Sequence, residues 1–122
     1  MLKEIMNASR FLLQNYPEAK ICQDYLDSRL NKESQEKFQL GYFPDINNIV
    51  AITSIIGEDT LKKQELLYSK DIEDAWCSRT INFSFFEEYP LIIPYRDPYG
   101  NVIALIGFVL KSFCRYMICG KV

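Results

Sequence analysis

Apolar residues recur at helical spacing along the first sixteen positions. Leu2, Ile5, Met6, Leu12, Leu13 and Tyr16, with Ala8 between, fall largely on one stripe, while Lys3, Glu4, Asn7 and Gln14 lie mostly off it. The pattern predicts a helix with one buried face and a break at Asn15-Tyr16. Pro17 suits the first turn of a second helix, where its missing N–H is not needed, and Ala19, Cys22, Leu26 and Leu30 supply the next stripe. Asn31 can cap a third, short helix from Lys32 to Phe38 by accepting an orphan N–H. Gly41 is the candidate left-handed residue after it. Asn47 or Asn48 caps a fourth helix through Ile56, which Gly57 stops. Glu58-Asp59-Thr60 opens a fifth, to about Leu67, with acids in its first turn as the helix dipole favours.

The second half of the chain changes character. Ser69 to Arg79 reads as polar and irregular around one Trp, and from Thr80 the residues turn aromatic and β-branched, with Ile81, Phe83 and Phe85 alternating before Glu87-Glu88. The strongest strand signal is PLIIPYRDPYGNVIALIG, from Pro90 to Gly107. Its two β-branched runs are too short for helices and flank Arg96-Asp97-Pro98-Tyr99-Gly100-Asn101, where Pro presets φ and Gly or Asn tolerates positive φ, so a β-hairpin is expected. Pro94 then belongs at an edge or a bulge. Both faces of the hairpin are almost wholly apolar, which places it at the centre of a sheet with Ile103 nearly completely buried. The fold class is therefore α+β: a helical half over 1–68 packed on a small antiparallel sheet over 80–119, in a single domain spanning 1–122.

Length and composition bound the function. At 122 residues and 48% hydrophobic, the chain can bury about two thirds of its unfolded surface around one core. Fourteen Lys and Arg against 16 Asp and Glu leave a net charge of -2, so no global basic field attracts nucleic acid or anionic lipid and any such contact must be local. The absence of histidine excludes His-ligated zinc, Ser-His triads and Cys-His nucleophiles. Cys22, Cys77, Cys114 and Cys119 form no CxxC pair and read as buried free thiols. Asp71, Glu73, Asp74, Glu87 and Glu88 lack metal-loop spacing and read as solvated loop. Lys62-Lys63 reads as a solvated helix face. No apolar run approaches the roughly 18 residues of a membrane span, and the first residues open an amphipathic helix rather than a signal sequence, so a cytoplasmic protein with no membrane partner is expected.

Two segments carry a family resemblance. Tyr25-Leu26-Asp27-Ser28-Arg29-Leu30, a short gap, and Glu36-Lys37-Phe38-Gln39-Leu40-Gly41-Tyr42-Phe43-Pro44 resemble the front of the catalytic core of bacterial-type DNA primases, where a helix ending YLxxR precedes a [KR]FxLG[YF]xP turn. Ile92 to Gly107 is similar to the same family's IxFPIRDxxG[RN]VIGFxG hairpin. The resemblance spans roughly residues 8 to 110. It implies the N-terminal subdomain of the primase RNA-polymerase core, which binds single-stranded DNA template during primer synthesis. The family's next subdomain, the Toprim, carries the acidic ligands for Mg or Mn. This chain is expected to stop before it, to lack the zinc ribbon, to hold no cofactor and to be inactive as a polymerase alone. The implied partners are a single-stranded template, bound weakly, and the rest of a primase or a replicative helicase.

Arg29 and Arg96 stand at family arginine positions, and Lys111, Arg115 and Tyr116 fall near a region that contacts template or nucleotide in the family. Three departures weaken the likeness: Phe108 replaces an arginine, Ile118 an asparagine, and Phe85-Phe86-Glu87-Glu88-Tyr89 an arginine-rich run. The missing guanidiniums are the groups that would grip phosphate bidentately. Arg96-Asp97 can be a local ion pair pinning the turn, or Arg96 can also face a nucleic-acid groove. Lys111, Arg115 and Lys121 can equally guard a strand edge, and Tyr89, Tyr95, Tyr99 and Tyr116 can be half-buried sheet residues or stacking platforms. The competing reading is a diverged, non-catalytic interaction module on the same fold.

Overall fold

The first apolar stripe becomes α1 (Leu2–Asn15) in a computed structural model of the protein, which describes residues 2–73, 76–110 and 112–120, the side chains of 112–116 excepted. Ile5, Met6, Ala8, Leu12 and Leu13 are buried along it. A 3-10 turn at Pro17–Ala19 leads into α2 (Lys20–Arg29), whose Cys22 and Leu26 join the core. Asn31 caps α3 (Lys32–Phe38) as expected, its Oδ1 accepting from the Ser34 N–H at 2.8 Å. The left-handed residue after α3 is Gln39 (φ 55°), not Gly41. Gly41 opens strand β1 (Gly41–Tyr42) instead, and glycine is needed there for space: a Cβ would stand 2.7 Å from Met6 Cε and 2.8 Å from Ser9 Cβ.

Asp45, rather than Asn47 or Asn48, provides the next cap. Its Oδ1 accepts from the Asn48 N–H at the head of a 3-10 turn, Ile46–Asn48, which runs into α4 (Val50–Ile56). Gly57 ends α4 with φ 82°, and α5 spans Glu58–Lys63. That helix stops short of Leu67 because Glu65 turns left-handed (φ 60°) and the Leu66 N–H returns to the Leu61 carbonyl, the 6→1 bond of a helix-ending motif.

The polar stretch after α5 is a second correction. It forms β2 (Leu67–Glu73) and β3 (Ser78–Ser84), a two-stranded antiparallel ribbon with Tyr68 opposite Phe83 and Asp71 opposite Thr80. Cross-strand bonds from Thr80 to Asp71 and from Ser69 to Asn82 hold its polar side chains, so the residues that suggested a loop are one solvated face of a ladder.

The main sheet has the order β1-β4-β5-β6, with β4 (Leu91–Arg96) and β5 (Val102–Val109) at its centre and β6 (Ser112–Gly120) at one edge. Pro94 lies within β4, but β1 pairs only with Leu91 and Ile92, so Pro94 has a strand neighbour on one side alone. The register sets the rows. Gly41, Ile92, Gly107 and Met117 share one row, and Pro94, Leu105 and Cys119 another on the same face; Ile93, Ile106 and Ile118 lie on the opposite face. Met6 and Ser9 approach the first face at Gly41, and Phe86 at Gly107. Ile92 and Leu105 are fully buried. Ile103 is only half-buried, against expectation: a bulge between Tyr95 and Arg96 pairs Ala104 and Val102 with successive residues of β4, which takes Ile103 off the ladder.

Candidate nucleic-acid interface

Arg96 and Asp97 do not pair with each other. Asp97 organises the hairpin turn, its Oδ1 accepting from the N–H groups of Tyr99 and Asn101 at 2.9 Å, while Gly100 takes φ 87°. These backbone bonds from Asn101, Tyr99 and Gly100 hold the Asp97 carboxyl below the usual carboxylate range. Arg96 donates through Nη1 to the Gly100 carbonyl and through Nη2 to Gln39 Oε1. It thereby ties the turn to the residue that ends α3, fifty-seven positions earlier.

Gln39 falls in sequence between Phe38 and Leu40, which with Leu30, Ile93 and Phe108 form an apolar recess of about 160 Å³. Arg29 immediately precedes one of those residues, with its guanidinium 5.1 Å above the Tyr25 ring. Both arginines are exposed. Neither lines the recess itself: Arg29 is the chain neighbour of Leu30, and Arg96 is bonded to Gln39, the chain neighbour of Phe38 and Leu40. The register sets the backbone of Tyr116 opposite Phe108, one of the residues of that recess. Lys111 and Lys121, and the side chains of Arg115 and Tyr116, lie outside the described residues. Of the tyrosines expected in the sheet, Tyr95 lies in β4 and is exposed, Tyr99 is exposed in the hairpin turn, and Tyr89 precedes β4 and is half-buried.

The end of α2 that carries Arg29 is braced by Asp27, which accepts from Gln35 Nε2 at 3.0 Å and Gln23 Nε2 at 2.9 Å and pairs with Lys32 Nζ at 3.0 Å. Hydrogen bonds from Gln35, then Lys32, then Gln23 lower its carboxyl to about 2. Gln35 also donates to the Leu30 carbonyl, fixing the α2–α3 corner beside the recess.

Where the family resemblance expected arginines, the chain has built core. Phe86 is buried, edge-on to Phe43 with ring centroids 5.5 Å apart. Glu87 is not simply solvated, since its Oε2 accepts from the Ile46 N–H at 2.9 Å. Cys22 and Cys119 are buried, and burial raises the Cys22 thiol to about 12; Cys77 is exposed, contrary to expectation. At an open recess of about 360 Å³ beside Gln64, Glu65 and Cys119, the Cys119 thiol donates to the Gln64 carbonyl at 3.5 Å, and burial raises its pKa. Among the described residues no three His, Cys, Asp or Glu side chains cluster to hold a metal ion. No helix among them is long and apolar enough to cross a membrane.

This α+β arrangement is the fold of DNA primase catalytic cores. The chain superposes on a DnaG primase catalytic domain bound to single-stranded DNA with a TM-score of 0.67 and 22% identity, over 97% of this chain and 38% of that one. For the Escherichia coli primase catalytic core the values are 0.66 and 21%, over 100% of this chain and 39% of that one. The zinc-binding and RNA polymerase domains of the Aquifex aeolicus primase give 0.63 and 22%, over 98% and 28%. The chain thus spans well under half the length of these structures, and at such identity the likeness establishes the fold. The sequence matches no protein-family model and no curated protein.

Proposed function

We propose that this chain is the N-terminal, template-binding part of a DNA primase that makes RNA primers in DNA replication, acting only together with a metal-binding Toprim subdomain supplied beyond residues 1–122. The observation that carries this reading is the likeness of almost the whole chain to primase catalytic cores, one of them bound to single-stranded DNA. It is supported by two exposed arginines joined to the residues around one apolar recess, Arg29 as the chain neighbour of Leu30 and Arg96 through its bond to Gln39, and by the backbone pairing of Tyr116 with Phe108. A template strand would lie beside that recess, its phosphates met by Arg29, Arg96, Lys111 and Arg115 and a base met by Tyr116. Three or four such contacts give weak, salt-sensitive binding, with a Kd no tighter than roughly 10 µM at physiological salt.

Fluorescence anisotropy with a short single-stranded DNA at two salt concentrations tests the reading. Arg115→Glu should weaken binding and lower the salt slope by about one unit. Undetectable binding at about 50 mM salt, or binding indifferent to Arg115→Glu, replaces it with the second reading. That second reading, a non-catalytic protein-interaction module on the primase fold, draws support from Phe86: within the run 85–89, where the family is rich in arginine, this chain has a buried core residue.

A further inference from the structure

The ribbon of β2 and β3 has two chemically different faces. Register places Tyr68 with Phe83, Lys70 with Ile81 and Ile72 with Arg79 on one face; Ser69 with Asn82, Asp71 with Thr80 and Glu73 with Ser78 fall on the other. All the acids of these two strands are therefore on the second face and both cations on the first. On the first face the Tyr68 and Phe83 rings stack with centroids 5.3 Å apart and planes 16° from parallel. Tyr68 remains 46% exposed, Lys70 and Arg79 are exposed, and Ile72, Ile81 and Phe83 are half-buried. Among the described residues, the hydrophobic core and the apolar side chains packed on it include none of Tyr68, Ile72, Ile81 and Phe83. Among the described residues no side-chain hydrogen bond or ion pair engages Lys70 or Arg79.

We propose that this face of the β2–β3 ribbon binds single-stranded nucleic acid, one base extending the Tyr68–Phe83 stack and Lys70 and Arg79 meeting the neighbouring phosphates. Stacked rings accept any base, because every base offers a π-face, and the two cations supply a sequence-independent grip on the backbone. The segregation of charge decides for nucleic acid over a protein ligand. An apolar protein patch would not need two exposed cations beside the rings, and an anionic strand is repelled from the Asp71 and Glu73 face and drawn to this one. Successive rows are about 7 Å apart along the ribbon, so the strand would follow the ribbon from the aromatic pair towards Arg79. The surface is separate from the recess near Arg29 and Arg96 and does not depend on the primase reading.

The chain carries its own reporter: Trp76, the single tryptophan, is 93% exposed at the ribbon's end. Titration of the full chain with a fluorescein-labelled oligothymidylate of about 12 nucleotides should quench Trp76 and raise the anisotropy over the same concentration range. Lys70→Glu and Arg79→Glu should each weaken binding several-fold and lower the salt slope by about one. Tyr68→Ala should weaken it about tenfold, the effect of one lost base stack, while Asn82→Ala on the opposite face should change nothing. Lys70→Gln and Arg79→Gln stand in if either reversal lowers the melting temperature. Binding that fails to quench Trp76, that is indifferent to the Lys70 and Arg79 variants, or that does not occur overturns the proposal. Loss of affinity in Arg115→Glu with unchanged affinity in the ribbon variants overturns it while leaving the recess reading standing. The converse pattern keeps the ribbon and removes the recess.

Discussion

Gly107 lies directly against the ring of Phe86: a Cβ at position 107 would stand 2.5 Å from Phe86 Cδ1 and 2.8 Å from its Cε1. The ring cannot retreat easily, because Phe43 and Phe85 hold it edge-on with centroids 5.5 and 4.9 Å away. Gly107→Ala must therefore move backbone or a wedged aromatic, at a cost of about 1–3 kcal/mol. A thermal melt should register a drop of several degrees; an unchanged melting temperature would mean that the turn carrying Phe86 yields freely.

Among the described residues Ser9 Oγ is buried without a hydrogen-bond partner, on the face of α1 that meets Gly41. A small side chain is required there, but a hydroxyl is not. Ser9→Ala removes an unsatisfied polar atom and should stabilise the protein by about 1 kcal/mol, whereas Ser9→Val should destabilise it by crowding β1. Chemical denaturation of the two variants gives opposite signs on this view, and a destabilised alanine variant would reveal an unrecognised partner for the hydroxyl.

Ile92 and Ile103 separate the core from the bulge. Ile92 is fully buried between the helices and the sheet, so Ile92→Asp places an unpaired carboxylate where it costs several kcal/mol of a total of about 5–15. That variant should lose its cooperative melt. Ile103→Asp, half-buried beside the turn, should keep one at lower temperature. Equal loss in both would put Ile103 back in the core.

What could be read beforehand followed from local chemistry. Pro17, Asn31 and Gly57 act through their own backbone neighbourhoods, and the helices begin or end there. The central hairpin was legible because Pro98 and Gly100 dictate the turn. What escaped depended on distant partners. Gly41 is a glycine because of Met6 and Ser9, and Gln39 turns left-handed without being one. The partners of Arg96 include a side chain fifty-seven residues away, so its pinning role could be guessed from the turn but not its link to α3. The β2–β3 ribbon left a usable signal, since Tyr68, Lys70, Ile72 and then Arg79, Ile81, Phe83 alternate with polar residues at period two on either side of Trp76. The intervening polar residues made that alternation look like a loop.

Asp27 sets the acid behaviour of the α2–α3 corner. Its folded carboxyl titrates at about 2 rather than 3.8, chiefly through the hydrogen bond from Gln35, with Lys32 and Gln23 adding to it. A carboxylate lowered on folding contributes stability that is fully present above its unfolded value and is lost as pH falls through the folded one. The window is therefore pH 3.8 down to about 2. Asp27→Asn should lower the melting temperature relative to the parent at neutral pH, and the difference should close as the two proteins are acidified through that window. Because the largest contribution comes from a neutral amide rather than from Lys32, high salt should shrink the difference only partly. Melts of parent and variant at pH 7, 4 and 2, each at low and high salt, measure this directly. A gap that persists unchanged at the lowest pH, or that vanishes on adding salt at neutral pH, would mean that the carboxylate does not brace the corner through Gln35.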